Sequence, residues 1–412
     1  MAKLIYPLGE QSFKDIREAG KVYVDKTAYI PMLLENKFYF LSRPRRFGKS
    51  LFLSTLEAFF KGQRELFHGL AIDTYEWDWV EYPVVRINFT SGLFRRQEDL
   101  YQALNYTLAE NERQYGITPP EGLNPVSRFR SLISSLYDNL GLKVVVLVDE
   151  YDKPLLDVID DDEKLNDNKY VMAGFYSVLK ASDEYLKMVL LTGVTRFGHM
   201  NIFSGLNNIR DISLEPRFSA VCGIASYELE DYLHEGLTNF AEANKISAEE
   251  ATQQLKAHYD GYHFSRDLVD IYNPYSLLTA LSTATIENTW MESGNSFYLL
   301  RQLREINFNL FDLEGVEVDT ETLKGSDYEY TDPIALLYHS GYLTIKANAS
   351  RPGSYILGLP NQEVTTSLYR KVIPFCIGPK GNLRTKDFAT ESSDFPPSNS
   401  GGIPPGRHHG SS

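Results

Sequence analysis

Short continuous apolar runs, separated by longer stretches with helical spacing, organise the first half of the chain. Phe38–Leu41 is the first run and predicts a strand. Val84–Phe89, bounded by Pro83 and the turn-like Thr90-Ser91-Gly92, predicts a second. Lys143–Val148 is the clearest, because its unbroken Val/Leu run implies burial on both faces, as in a central parallel strand. Met188–Val194 and Ala220–Ile224 predict two more. Between them, Leu51, Leu53, Leu56, Phe59 and Phe60 mark one face of a helix, residues 97–139 are helix-rich, and a further helix is expected near 168–181. A polar and aromatic lead-in of about 36 residues precedes all of this, with Phe13, Ile16, Tyr23, Val24 and Ile30 as its apolar points.

Strands alternating with helices predict an α/β fold with a parallel sheet covered by helices. From Tyr227 to about residue 348 helical segments dominate, interrupted by turns at Asp260-Gly261 and Asn273-Pro274. From about Ile377 the chain is rich in Gly, Pro and Ser with few apolar anchors, so it cannot offset its ordering entropy. The expected organisation is an α/β domain over 1–226, a mainly helical domain over 227–376 and a disordered tail over 377–412.

Composition narrows the class. The chain has 412 residues, 43% hydrophobic and 23% charged, which is globular and long enough for more than one domain. A net charge of −14 argues against a broad nucleic-acid surface, though not against a local basic patch. Two cysteines, Cys222 and Cys376, stand far apart in no metal-ligand spacing, which suits a reducing, cytoplasmic setting. The N-terminus reaches a proline and charges too soon for a signal peptide, and the strongest apolar runs are too short to span a bilayer. No repeat of solenoid period is present.

Candidate chemistry begins at Gly48-Lys49-Ser50, between a predicted strand and a predicted helix. Backbone N–H groups and the dipole at a helix N-terminus favour an anion. Lys49 is expected to stand exposed at the helix start and to reach the terminal phosphates of ATP, and the Ser50 hydroxyl to ligate Mg²⁺. The tripeptide alone fits a solvated turn with a capping serine better than a phosphate site. Asp149-Glu150 strengthens the case, because it ends the most buried predicted strand, where ligands bind in open α/β sheets. Asp149 is expected to hold the metal and Glu150 to act as general base. Thr192, just after the apolar Met188–Leu191, is placed to orient water, and Arg196 to offset phosphate charge.

The stretch Phe40–Ser50, read FLSRPRRFGKS, resembles the signature of the bacterial AAA-ATPase-like family. Similar matches are Tyr23–Thr27, Val148–Pro154, Leu191–Phe197, Ile202–Asn208, Tyr259–Phe264 and Tyr272–Leu278, so the resemblance runs from about residue 5 to 370. It implies an additional-strand P-loop fold, a helical, winged-helix-like domain behind it, and a nucleotide cradle of Arg43, Arg45, Arg46, Phe47, Gly48, Lys49, Ser50 and Leu51. Two departures stand out. Arg43 occupies the place where the general phosphate loop has glycine, and Pro44 lacks a backbone donor, so Arg45 and Arg46 are expected to supply compensating charge. The nuclease-like domain that members commonly carry would begin after Leu357–Asn361, where the low-complexity tail follows soon after, as in a truncated frame.

Other candidates read more simply. His263, between Tyr262 and Phe264, fits a packed histidine; Asp160–Glu163 fits a solvated loop; Tyr23–Thr27 fits a base-framing element or a strand and helix cap equally well. The leading expectation is Mg²⁺-dependent ATP binding and hydrolysis coupled to movement of the helical domain, with a protein partner or a second copy as the macromolecular contact. A nucleotide switch with negligible turnover and a nucleic-acid-processing module without its nuclease part stay open beside it.

Overall fold

The computed structural model describes residues 4–195, 208–290, 313–324 and 333–377, with side chains to residue 370. Two compact units divide the chain, Met1–Tyr369 and Arg370–Ser412. Arg196, Phe197, Ile202–Leu206, Asn207 and the tail from 378 lie outside the described residues.

Five strands, β1 (Phe38–Ser42), β2 (Val84–Asn88), β3 (Val144–Asp149), β4 (Leu186–Gly193) and β5 (Arg210–Asp211), form a sheet in the order β2-β3-β4-β1-β5. Every pairing in it is parallel. β4 lies between β1 and β3, which is the additional-strand arrangement. Helices cover both faces, because β1, β2, β3 and β4 carry apolar side chains on both. Phe38, Phe40, Val85, Ile87, Val144, Val146, Val148, Val189 and Leu191 join one core with α4 (Gln97–Tyr115), α5 (Pro125–Leu140) and α7 (Asp162–Ala181). The alternate residues Tyr39, Leu41, Val145, Leu147 and Leu190 are also buried, on the face where α3 (Lys49–Phe60) packs against β3.

The edge strand β2 is sealed by side chains rather than by another strand. Asn111 and Tyr115, one turn apart on α4, stand in for the missing ladder. The Arg86 amide donates to Asn111 Oδ1 at 2.9 Å, and Asn111 Nδ2 donates to the Arg86 and Thr107 carbonyls at 2.8 Å each. The Val84 amide donates to the Tyr115 hydroxyl at 2.7 Å, and that hydroxyl donates to the Val84 carbonyl at 3.1 Å.

The predicted fifth strand at Ala220–Ile224 is corrected. That segment follows a 3₁₀ turn at Pro216–Phe218 and only its last residue is extended, in β6 (Ile224–Ala225), which pairs antiparallel with β7 (Ile271–Tyr272). The fifth place in the sheet belongs to β5, two polar residues with no apolar run to read.

Beyond β6 the helical expectation holds for α8 (Ser226–Asn244), α9 (Ala248–Tyr259) and α10 (Pro274–Thr283), whose apolar faces form a second core. Tyr6, Val22 and Val24 of the lead-in pack onto it, and Lys26 makes a buried ion pair with Glu228 of α8 at 2.5 Å. The later part is not purely helical. β8 (Val316–Asp319), β9 (Thr344–Asn348) and β10 (Ser354–Gly358) make an antiparallel sheet in the order β8-β10-β9, followed by the helix Gln362–Ile377. Among the described residues, no helix is long and apolar enough to cross a membrane.

Asn111→Ala removes three hydrogen bonds, two of them to the β2 edge. At about 1 kcal/mol each, the expected loss of unfolding free energy is about 2–3 kcal/mol, read from denaturant midpoints. A change below about 0.5 kcal/mol would mean that water satisfies the edge as well as the side chain does.

Candidate active site

β1, β3 and β4 run parallel and end at one edge of the sheet, at Ser42, Asp149 and Gly193. Everything that follows them in sequence is therefore brought together there.

After β1 the chain turns through residues 43–48 into α3. Gly48 makes the turn possible: at φ +93° it adopts a left-handed conformation that costs side-chain-bearing residues about 1–2 kcal/mol. Arg46 bears the same strain without being glycine, at φ +66°. The loop is held by its own side chains. Arg43 is 2% exposed. Its Nη1 donates to the Ser42 and Ser213 carbonyls at 2.8 Å each and its Nη2 to the Phe218 carbonyl at 2.9 Å, while the guanidinium lies 4.2 Å from the Phe264 ring centre. Arg43, expected in the nucleotide cradle, turns its two terminal nitrogens to carbonyls beneath the loop, while its Nε is buried without a partner among the described residues. Phe47 is likewise buried, edge-on to Tyr262 at 4.9 Å and Phe264 at 5.3 Å. Arg46 turns toward the helical region, donating to the Thr289 carbonyl at 3.0 Å with its guanidinium 4.2 Å from the Tyr275 ring centre. Arg45, Ser50 and Leu51 are half-buried, Arg45 within the loop and the other two in the first turn of α3.

Lys49 corrects a second expectation. It is 6% exposed rather than solvated, because the loop folds over it: Nζ donates to the Arg43 carbonyl at 2.8 Å and the Pro44 carbonyl at 3.0 Å. Burial lowers its pKa, opposed by the charges of Glu150, Asp149 and Asp152. An ammonium has three N–H donors, so one remains for an anion.

At the end of β3, Asp149 is fully buried. Its Oδ2 accepts from Arg86 Nη2 at 3.1 Å and its Oδ1 from Thr192 Oγ1 at 3.0 Å. Thr192 thus reaches the site through Asp149. Glu150 follows at φ +50°, a second strained position at the same sheet edge, where a cost of about 1–3 kcal/mol persists only under external constraint. The constraint is visible on both sides: the Phe89 amide donates to the Asp149 carbonyl at 3.2 Å and the Tyr151 amide to the Thr192 carbonyl at 3.0 Å. Desolvation raises the Glu150 pKa, opposed by Lys49 and Arg45. A half-buried carboxylate tuned upward suits a proton acceptor working near neutral pH.

Two residues of the site went unread in the sequence. Asp152 is buried, and its Oδ2 accepts from the Val194 amide at 2.9 Å, the Thr195 amide at 2.7 Å and the Thr195 hydroxyl at 2.8 Å. Gly193 permits this close approach, since a Cβ there would lie 2.6 Å from Asp152 Oδ1. The other is Arg86, whose signal was a charge inside an otherwise apolar strand. His263 joins the Lys256–Asp270 pair rather than this cleft, with Nε2 2.8 Å from Asp270 Oδ1. The acidic run near 160 is used in part as a helix cap, Asp161 accepting from the Lys164 amide.

A parallel additional-strand sheet, with a strand–loop–helix lysine beside a buried Asp-Glu pair, is the architecture of the P-loop ATPases. The profile described as Predicted AAA-ATPase matches residues 7–203. An uncharacterized protein in the vnfD 5′ region of Azotobacter chroococcum (mcd 1) is 37% identical over 374 residues, covering 89% of this chain and 70% of that protein. The chain belongs to the AAA-ATPase-like family. Among solved structures, remote likenesses include Cdc6p from Pyrobaculum aerophilum at 12% identity and TM-score 0.28, over 90% of this chain and 95% of that one. The Aeropyrum pernix ORC2 protein (ADPNP-ADP complexes) is 14% identical at TM-score 0.30, over 91% of this chain and 98% of that one.

Arg43→Met takes the guanidinium donors from the Ser42, Ser213 and Phe218 carbonyls, of which Phe218 keeps the Val221 amide. The expected cost is about 3 kcal/mol or more of unfolding free energy, with Arg43→Lys recovering only part because lysine lacks the planar fork. A methionine variant within about 1 kcal/mol of the parent would show that the loop is held by other contacts.

Proposed function

We propose that the chain binds ATP at the loop between β1 and α3 and hydrolyses it. The observation that carries the reading is the convergence of Lys49, Asp149, Glu150 and Thr192 at one sheet edge beside the start of α3. Lys49 offers its remaining N–H to the terminal phosphates. Glu150 accepts the proton of the attacking water, Thr192 steadies Asp149, and Arg196 adds positive charge near the transferred group. Arg45, the loop guanidinium electrostatically coupled to Glu150, adds charge at the mouth.

The donor set fits Mg²⁺, which takes oxygen ligands and leans on one or two carboxylates plus substrate phosphates. Among the described residues no cluster of three or more His, Cys, Asp or Glu side chains offers a full protein cage. Asp149 and the Ser50 hydroxyl would hold the ion, Asp149 because a carboxylate has about four lone-pair sites and Arg86 and Thr192 take two. When bound, the ion neutralises charge building on the phosphate oxygens.

Within this reading residues 1–226 form the nucleotide domain and 227–376 the helical domain, and nucleotide occupancy is transmitted between them. Arg46 supports that coupling. It sits in the loop yet bonds the Thr289 carbonyl, while the Thr289 and Trp290 amides donate to Glu363 Oε1 at 2.6 and 3.0 Å. The same contact favours a second reading, a nucleotide-dependent switch with negligible turnover, since it gives the loop a mechanical output that needs no hydrolysis.

Calorimetric titration of ATP and GTP with and without Mg²⁺, together with phosphate release, tests both. Lys49→Ala is expected to lose most nucleotide affinity; because Lys49 is buried, its melting temperature is measured in parallel. A folded variant that binds like the parent would sink the phosphate-loop reading. Glu150→Gln is expected to keep binding and lose about 10²–10⁴-fold in turnover. Equal turnover would remove Glu150 from the chemistry, and a parent that binds ATP without releasing phosphate would favour the switch.

A further inference from the structure

Arg86 sits in the interior of β2, two residues before Asn88, which is in register with Asp149. In a strand, residues two apart share a face, so Arg86 and Asp149 lie on the same side of the sheet, the side of α3. The backbone of Arg86 is clamped at both its N–H and its carbonyl by Asn111. Its Nη2 reaches Asp149 Oδ2 at 3.1 Å, with side chains 21% and 0% exposed. Its Nη1 is buried and, among the described residues, has no hydrogen-bond partner.

A purely structural role explains this poorly. A buried ion pair seldom adds net stability over apolar residues of the same shape. Arg43, whose Nε is likewise buried without a partner among the described residues, has three carbonyls within 2.9 Å of its two terminal nitrogens and a ring beneath it, all serving the loop. Arg86 instead spends its one direct bond on the carboxylate that ends β3.

We propose that Arg86 is a positioning residue of the nucleotide site: from the β2 side it fixes the buried Asp149 carboxylate in one orientation, as Thr192 does from the β4 side, and so sets how well the site takes Mg²⁺ with its nucleotide. This rests on the reading of Asp149 as a metal ligand. The two supports bind different oxygens of one carboxylate, so rotation about its last bond is resisted from both neighbouring strands. Partners that orient a metal ligand in this way change metal affinity by about 10–100-fold when removed.

The test is binding, not turnover. Affinity for a fluorescent, non-hydrolysable ATP analogue is titrated against Mg²⁺, starting from a chelated zero point, for the parent, Arg86→Gln, Arg86→Lys, Asp149→Asn and the Asp149→Asn/Arg86→Gln double variant. The Mg²⁺ midpoint of Arg86→Gln is expected to rise by about 10–100-fold, with Arg86→Lys rising less because it keeps the charge but not the fork. In the Asp149→Asn background, adding Arg86→Gln should change nothing further, since Arg86 acts through Asp149. An Arg86→Gln midpoint equal to the parent's overturns the proposal, and a lower one shows that Arg86 competes with the cation instead of serving it. If Arg86→Gln does not fold, an Arg86→Lys midpoint equal to the parent's overturns it. A parent with no Mg²⁺-dependent gain removes the metal-site reading and the role of Arg86 together, whereas a parent with that gain and indifferent Arg86 variants removes Arg86 alone.

Discussion

The buried guanidinium of Arg43 is the contact on which the arrangement of the site depends. Taking a cation out of water costs several kcal/mol unless every donor finds an acceptor in good geometry. Arg43 meets most of that demand by collecting carbonyls from the end of β1 and from residues 213–218 on its two terminal nitrogens, with the Phe264 ring below, while its Nε stays buried without a partner among the described residues. Three separate stretches of chain are thereby fixed under one loop. The carbonyl of Arg43 itself then accepts from Lys49, so the side chain that secures the loop also determines where the lysine can go. An arginine in place of the usual loop glycine thus replaces backbone flexibility with a pinned base.

A loop pinned at its start is free to transmit at its other end. Pro44 and Arg45 lie between the Arg43 anchor and the strained Arg46, whose guanidinium reaches the Thr289 carbonyl and the Tyr275 ring. Thr289 is not a passive acceptor. Its amide and hydroxyl both donate to Glu363, which also accepts from Ser276 of α10, so the Arg46 contact reaches α10 and the last helix through two residues. Glu363 has no exposure, and desolvation raises its pKa. A displacement of Arg46 would shift Thr289 and so alter how this carboxylate is solvated, a coupling carried by contacts on both sides of one residue rather than by proximity alone.

Much of the sheet was legible because burial on both faces leaves a plain mark: Val144–Val148 cannot be a surface segment, and the acids that end it must fall at the ligand edge. The lysine motif was legible for the same reason, since it lies between a buried strand and an amphipathic helix. What escaped detection was either too short to have a period or depended on partners far away in sequence. β5 is two polar residues, and β9 alternates as Thr344-Ile345-Lys346 inside a region whose helices dominate the pattern. Lys49 reads as solvated because spacing cannot reveal that the loop's own carbonyls close over it. Arg86 drew no separate reading within Val84–Phe89, and only the register of β2 on β3 brings it to Asp149. Asp152 was quoted inside the family match, yet an acid after a tyrosine looks like a helix cap until the turn after β4 is seen to wrap it.

The two buried aspartates are bonded differently, and the difference bears on which of them suits the proposed metal site. Asp152 concentrates two amides and a hydroxyl on a single oxygen, all from Val194 and Thr195. Those bonds knit the turn after β3 to the end of β4, and Gly193 lets the carboxylate press against that strand without a side chain between. Burial raises its pKa even against those three donors, so the protein bears a cost for keeping it there, and what it gains is a fixed crossing between two strand ends. Asp149 has one donor on each oxygen, one charged and one neutral, from the strands on either side. Its orientation is therefore fixed while about half of its acceptor capacity remains. Three residues apart in sequence and buried alike, the first aspartate is oriented by its neighbours with acceptor capacity left over, and the second concentrates its bonds on one oxygen.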